Sequence, residues 1–166
     1  MIYKLYFDGS CKYKNDGSCD MGMGAVVLDS RNNIVYEQGW NVPAYDHKGD
    51  NGILSNNVAE YQALFRGLDV LSVKRSDGIS ELRIYGDSKL VIEQVQGNWK
   101  VKAAHLKKYR DSCVVQIKLY EKEGCKVSLE WIPREQNKLA DRLAQNAADG
   151  MERCSNQLYD ERDKKI

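Results

Sequence analysis

Histidine and proline are nearly missing from this chain, with two of each in 166 residues. Cysteine occurs five times, an odd number, with no C-x-x-C pair. That argues against a disulfide framework and against a structural zinc site, so reduced thiols and a cytoplasmic location are expected. No apolar run approaches the ~18 residues of a membrane span. The opening residues, interrupted by Lys4 and Asp8, do not build the apolar core of a signal peptide. A net charge of +1 excludes a polybasic tail protein. The scarcity of imidazole also weakens a serine-hydrolase reading of Gly86-Asp87-Ser88-Lys89-Leu90, because His47 and His105 lie in no recognisable partner motif.

What remains is an ordinary globular composition, 42% hydrophobic and 30% charged, in a chain long enough to bury roughly 70% of its unfolded surface as one domain. Ile2 to Asp8 alternates β-branched and aromatic residues and reads as a strand. A polar turn region over 11–21 leads to strands at 22–28 and 34–40, joined by a hairpin at Arg31-Asn32-Asn33. The segment 43–55 is a loop by composition. Steps of three and four predict helices over 57–73, 88–96, 102–121 and 135–149, with strands at 81–86 and 125–131 between them. Three strands joined by turns, then strands separated by helices, predict an α/β fold: a five-stranded mixed sheet, parallel where the first, fourth and fifth strands meet, with helices on both faces. The charged tail from 150 to 166 is expected to fray.

In an open α/β sheet, ligands bind beyond the carboxyl ends of the parallel strands. Asp8 and Asp87 stand at two such ends, Glu60 in the expected first turn of one helix and Asp141 two turns into another. Each has a plain structural role available. Asp8-Gly9 can be a turn, Asp87 or Ser88 a helix cap, Glu60 half of a capping box with Asn57, and Asp141 an exposed helical residue. Gathered in one crevice they need a cation, since two carboxylates ~4 Å apart repel by about 4 kcal/mol at an effective dielectric near 20. Carboxylates without imidazole or thiolate partners favour Mg²⁺ or Mn²⁺. A pair of such ions suits hydrolysis of a phosphodiester. Between residues 99 and 118, Lys100, Lys102, Lys107, Lys108, Arg110 and Lys118 face only Asp111, which is either a phosphate-binding face or a solvated helix side.

Asp8-Gly9-Ser10, Ser55-Asn56-Asn57-Val58-Ala59-Glu60, Tyr85-Gly86-Asp87-Ser88-Lys89-Leu90-Val91 and Trp131-Ile132-Pro133-Arg134-Glu135-Gln136-Asn137-Lys138-Leu139-Ala140-Asp141 closely resemble, in order, the motifs of ribonuclease H type 1. The resemblance runs from Ile2 to about Ala148. It implies a ribonuclease H domain over 1–149 that cleaves the RNA strand of RNA-DNA hybrids with two Mg²⁺ or Mn²⁺ ions. Asp8 would bridge both ions, Asp141 would help hold the one that activates water, and Glu60 and Asp87 would hold the other. Gly9, Ser10, Asn56 and Asn57 fall where the family contacts the hybrid. Duplex RNA is a second substrate left open, and a monomer is expected.

The chain departs from many family members in two places. Arg134 stands in the loop where they carry a histidine, and the short stretch through Trp99, Lys100 and Lys102 replaces a long basic protrusion. These three residues would then bind the hybrid. The alternative reading is a nucleic-acid-binding module that keeps the fold without the chemistry. It sits poorly with four carboxylates facing phosphate.

Overall fold

The computed structural model describes residues 1–15, 18–42, 55–151 and 154–156. Its centre is strand β1 (Ile2–Tyr13), whose odd-numbered residues Tyr3, Leu5 and Phe7 are buried in the main core. β1 pairs antiparallel with β2 (Cys19–Leu28) and parallel with β4 (Glu81–Gly86), which pairs parallel with β5 (Lys126–Trp131). β3 (Ile34–Val42) continues the antiparallel side. The five expected strands are therefore present, with the expected mixture of directions. A sixth short strand, β6 (Cys154–Asn156), adds antiparallel to β3 and gives the order β5-β4-β1-β2-β3-β6. Within the tail expected to fray, residues 154–156 are thus paired. A three-residue edge strand has too little periodicity to be legible in sequence.

On the face bearing Leu5 and Phe7 lies α1 (Asn56–Leu71), which buries Val58, Tyr61, Leu64, Leu68 and Leu71 as its period required. Its cap is Ser55, whose hydroxyl accepts from the Val58 amide at 3.3 Å, so Glu60 does not serve a capping box with Asn57. Glu60 is also one residue beyond the first turn. α2 (Lys89–Gln96) starts on Ser88, which accepts from the Val91 amide at 3.3 Å, and stops at Gly97 with φ 85°. α3 (Ala104–Lys122) packs on α1, where the Tyr120 hydroxyl donates to the Leu68 carbonyl at 2.5 Å.

The opposite face is covered by α4 (Lys138–Ala148), with Ala140, Leu143, Ala144 and Ala147 buried. The expected 135–149 helix is thus broken: a 3-10 turn occupies Arg134–Gln136, and Asn137 separates it from α4. Asp141 therefore lies in the first turn of α4, one turn earlier than expected. Small residues bring this helix close. A Cβ on Gly22 would stand 1.9 Å from the Ala144 carbonyl oxygen, and one on Gly24 2.3 Å from that of Ala140.

The polar turn expected over 11–21 is mostly ladder, with Cys11 opposite Met21 and Tyr13 opposite Cys19. Cys11 and Cys19 form a disulfide, Cα atoms 5.9 Å apart, which corrects the expectation of reduced thiols throughout. Neither an odd cysteine count nor linear spacing reveals a pair that antiparallel register brings together. Cys113 and Cys125 are free and buried. The loop expected at 43–55, including His47, lies outside the described residues except for Ser55, and so do 157–166. Among the described residues no helix is long and apolar enough to cross a membrane.

Gly22→Ala should lower the urea-unfolding free energy by about 1–3 kcal/mol, because the added methyl pushes on helix backbone that has no rotamer to change. An unchanged midpoint would contradict the close approach of α4.

Candidate active site

Strict alternation along β1 decides where Asp8 points. Phe7 faces the core under α1, so Asp8 faces the α4 side of the sheet. Gly9 returns to the α1 side, and a Cβ there would stand 2.3 Å from the Glu60 amide nitrogen. The bare glycine lets α1 press its Ala59-Glu60 turn against the strand. The Gly9 amide then donates to the Glu60 carboxylate, and the Asp8 and Glu60 carboxyl groups face each other within 4.8 Å. Parallel pairing sets Phe7 opposite Gly86, which puts Asp87 beyond the end of β4 at the same level.

Asp8, Glu60 and Asp87 each offer a carboxylate oxygen within 4.8 Å of the others'. Asp141 enters the same cleft from α4. These four, with Gly9, Ser10, Asn56 and Arg134, line one cleft of about 300 Å³. Eight of the twelve residues singled out in the sequence therefore meet in one place. Asn57 is half-buried next to Asn56 without lining the cleft. Trp99, Lys100 and Lys102 are exposed on the connection between α2 and α3, outside it.

Asp8 is 4% exposed and Glu60 9%. Burial raises the carboxyl groups of both well above the ordinary range, Glu60 to about 8, and the neighbouring negative charges add to the effect. Glu60 Oε2 and Asp87 Oδ1 are buried without hydrogen-bond partners. Orphaned carboxylate oxygens aimed into a cluster of acids match an all-oxygen site for a hard divalent cation, so the residues present fit the metal that the resemblance implies.

Sequence reasoning overlooked three supports. Asn137, 1% exposed, donates from Nδ2 to the Phe7 carbonyl at 2.9 Å and so ties the start of α4 to β1 beside Asp8. It belongs to the Trp131–Asp141 motif, yet its partner lies 130 residues away, which no local pattern shows. Gln145 donates to both Asp141 oxygens at 3.0 Å; the i, i+4 spacing on one helix was the available signal. Trp131, 45% exposed, donates its indole N–H to the Asp87 carbonyl at 3.1 Å, steadying the end of β4 from β5. Arg134, 68% exposed at its side chain, reaches Asp141 at 3.4 Å.

The family model described as reverse transcriptase-like matches residues 6–147. The chain belongs to the reverse transcriptase-like family. Within that family its fold is that of ribonuclease H type 1. Ribonuclease H1 from the halophilic archaeon Halobacterium salinarum superposes with a TM-score of 0.70 at 26% identity, covering 91% of this chain and all of that one. LC11 ribonuclease H1, solved in complex with an RNA/DNA hybrid, superposes with a TM-score of 0.71 at 29% identity, covering 89% and 97%. The bifunctional protein Rv2228c of Mycobacterium tuberculosis is 39% identical over 128 residues, 77% of this chain. The chain spans 31% of the length of that relative.

The raised carboxyls carry a sign. A group whose folded pKa exceeds its unfolded one binds more protons folded than unfolded between the two values, so its contribution to stability is full below the unfolded pKa and is lost as pH rises through the folded one. In EDTA, urea-unfolding free energy should therefore decline from about pH 4, the ordinary carboxylate value, to about 8, and added Mg²⁺ should remove most of the decline. A free energy that is flat over this window in EDTA would contradict the raised Glu60 carboxyl.

Proposed function

We propose that this chain is a divalent-cation-dependent endoribonuclease that hydrolyses the RNA strand of RNA-DNA hybrids. The observation that carries the reading is the convergence of Asp8, Glu60, Asp87 and Asp141, from four separate elements, in one cleft beside Gly9, Ser10 and Asn56. The ribonuclease H1 relatives supply the substrate class, one of them having been solved with a hybrid bound. A binding module without chemistry gains nothing from four acids facing a phosphate backbone.

Asp8, Glu60, Asp87 and Asp141 would hold two Mg²⁺ or Mn²⁺ ions. When bound, such ions polarise a phosphodiester, lower the pKa of a water and neutralise the leaving oxygen. The protein's own groups do the remainder. The backbone of Gly9 and Ser10 and the Asn56 side chain lie beside Asp8, with donors and acceptors that suit a 2′-hydroxyl, which distinguishes RNA from DNA. Asn57, next to Asn56 at the start of α1, is a further candidate contact for the hybrid. Gln145 and Asn137 keep Asp141 directed at Asp8. A guanidinium is a poor proton carrier, so Arg134, 3.4 Å from Asp141, serves instead to contact the scissile phosphate or to help product leave. Trp99, Lys100 and Lys102 bind the hybrid away from the cleft. The site is complete within one chain, in keeping with a monomer, and duplex RNA remains a candidate second substrate.

The deciding experiment compares hybrid, duplex RNA and duplex DNA as substrates for wild type and Asp8→Asn, in Mg²⁺, Mn²⁺ and EDTA. Wild type should cut the RNA of the hybrid with either metal and stop on chelation, and Asp8→Asn should lose more than about a hundredfold in rate, the least expected when a metal ligand goes. Cleavage that survives EDTA, or survives Asp8→Asn intact, would sink the mechanism. For Arg134→Ala, multiple-turnover cleavage should slow about fivefold, on the scale of one exposed ionic contact, while metal binding by calorimetry is retained; an unchanged turnover rate would remove Arg134 from the site.

A further inference from the structure

The connection between α2 and α3 is short and mostly exposed: Gly97, Asn98, Trp99, Lys100 and Lys102 all face solvent. Such a stretch ordinarily samples many conformations. Here it is fastened from beneath. Val101 is 7% exposed and belongs to the main core. The amides of Asn98 and Trp99 both donate to the Glu93 carbonyl, at 2.9 and 3.2 Å.

The third fastening is a buried polar pair. Gln94, 5% exposed on α2, donates from Nε2 to the Lys100 carbonyl at 3.3 Å and accepts from the Tyr61 hydroxyl at 2.6 Å. Tyr61 is fully buried and follows Glu60 on α1. A buried glutamine costs stability unless both ends of its amide are satisfied, and a leucine would pack as well without that demand. The amide supplies what leucine lacks, a donor aimed at the backbone between Trp99 and Lys102.

We propose that Gln94 and Tyr61 form a positioning clamp, which fixes the Trp99–Lys102 strap as a rigid stacking and phosphate-binding edge in register with the helix that carries Asn56 and Glu60. This deepens the proposed function and rests on it. The clamp touches neither substrate nor metal. It acts by removing the ordering cost that a free strap would incur on binding, and the hybrid meets Trp99, Lys100 and Lys102 already placed. A strap held at both Val101 and the Lys100 carbonyl points its lysines outward without further choice.

The test uses the full chain with Gln94→Met, which keeps the volume and loses the donor, and Tyr61→Phe, which loses only the hydroxyl. On hybrid in Mg²⁺, KM should rise about fivefold in Gln94→Met, the scale of one hydrogen bond, and less in Tyr61→Phe, with kcat within about twofold of wild type. The salt dependence of hybrid binding, read by fluorescence anisotropy in EDTA, should lose about one unit of slope as a lysine contact goes. KM and salt slope equal to wild type in both variants overturn the clamp. If wild type binds hybrid without cutting it, the proposed activity fails while the anisotropy comparison still decides the clamp: weaker binding by the variants supports it, and equal binding overturns it. If Gln94→Met does not fold, Tyr61→Phe alone decides by the same two readings.

Discussion

Everything in this structure answers to the mutual repulsion of acids brought together at the carboxyl ends of β1 and β4. Parallel pairing of these strands, Phe7 opposite Gly86, puts Asp8 and Asp87 at one level, and α1 and α4 add Glu60 and Asp141 from either side of the sheet. Two carboxylates ~4 Å apart repel by about 4 kcal/mol at an effective dielectric near 20, and Asp8, Glu60 and Asp87 bring oxygens within 4.8 Å of one another. Burial raises the carboxyl groups of Asp8 and Glu60 above the ordinary range, and Glu60 Oε2 and Asp87 Oδ1 are buried without a hydrogen-bond partner from the protein. A fold that bears this cost is organised around a cation.

The rest of the architecture lets the helices come close enough and then holds them. Absent side chains do the first part, at Gly9 under α1 and at Gly22 and Gly24 under α4. Side-chain amides do the second: Asn137 joins α4 to β1, Gln145 braces Asp141, and Gln94 secures the connection that follows α2. Glycines without these amides would leave the helices close and loose. With them the acids are presented as one set, in one cleft with Gly9, Ser10 and Asn56.

Much of this was legible beforehand, for reasons that differ from element to element. The strands and helices that bury one face, such as Ile2 to Asp8 and the helix ending at Leu71, announced themselves by period. Asp8, Glu60, Asp87 and Asp141 were legible because motif order and strand ends together point to one edge. Features that depend on register between distant segments were not legible. The Cys11–Cys19 pair follows from antiparallel alignment, Asn137 finds Phe7 across the whole chain, and β6 is a three-residue edge formed only by pairing with β3. The break at Asn137 shifted Asp141 into the first turn of its helix because the 3-10 turn before it consumed residues that a continuous helix would have used. Ser55 in place of the Asn57-Glu60 capping box has a similar origin, since Glu60 is drawn away by Asp8 and the Gly9 amide.

The most direct measurement is a calorimetric titration of Mn²⁺ into wild type and Asp8→Asn near neutral pH, repeated in buffers of different ionisation enthalpy. The expected result is saturable binding to wild type with protons released as metal enters, and binding weakened at least about tenfold in the variant. Equal affinity in the two proteins, or binding with no buffer dependence, would contradict a cation site assembled on Asp8.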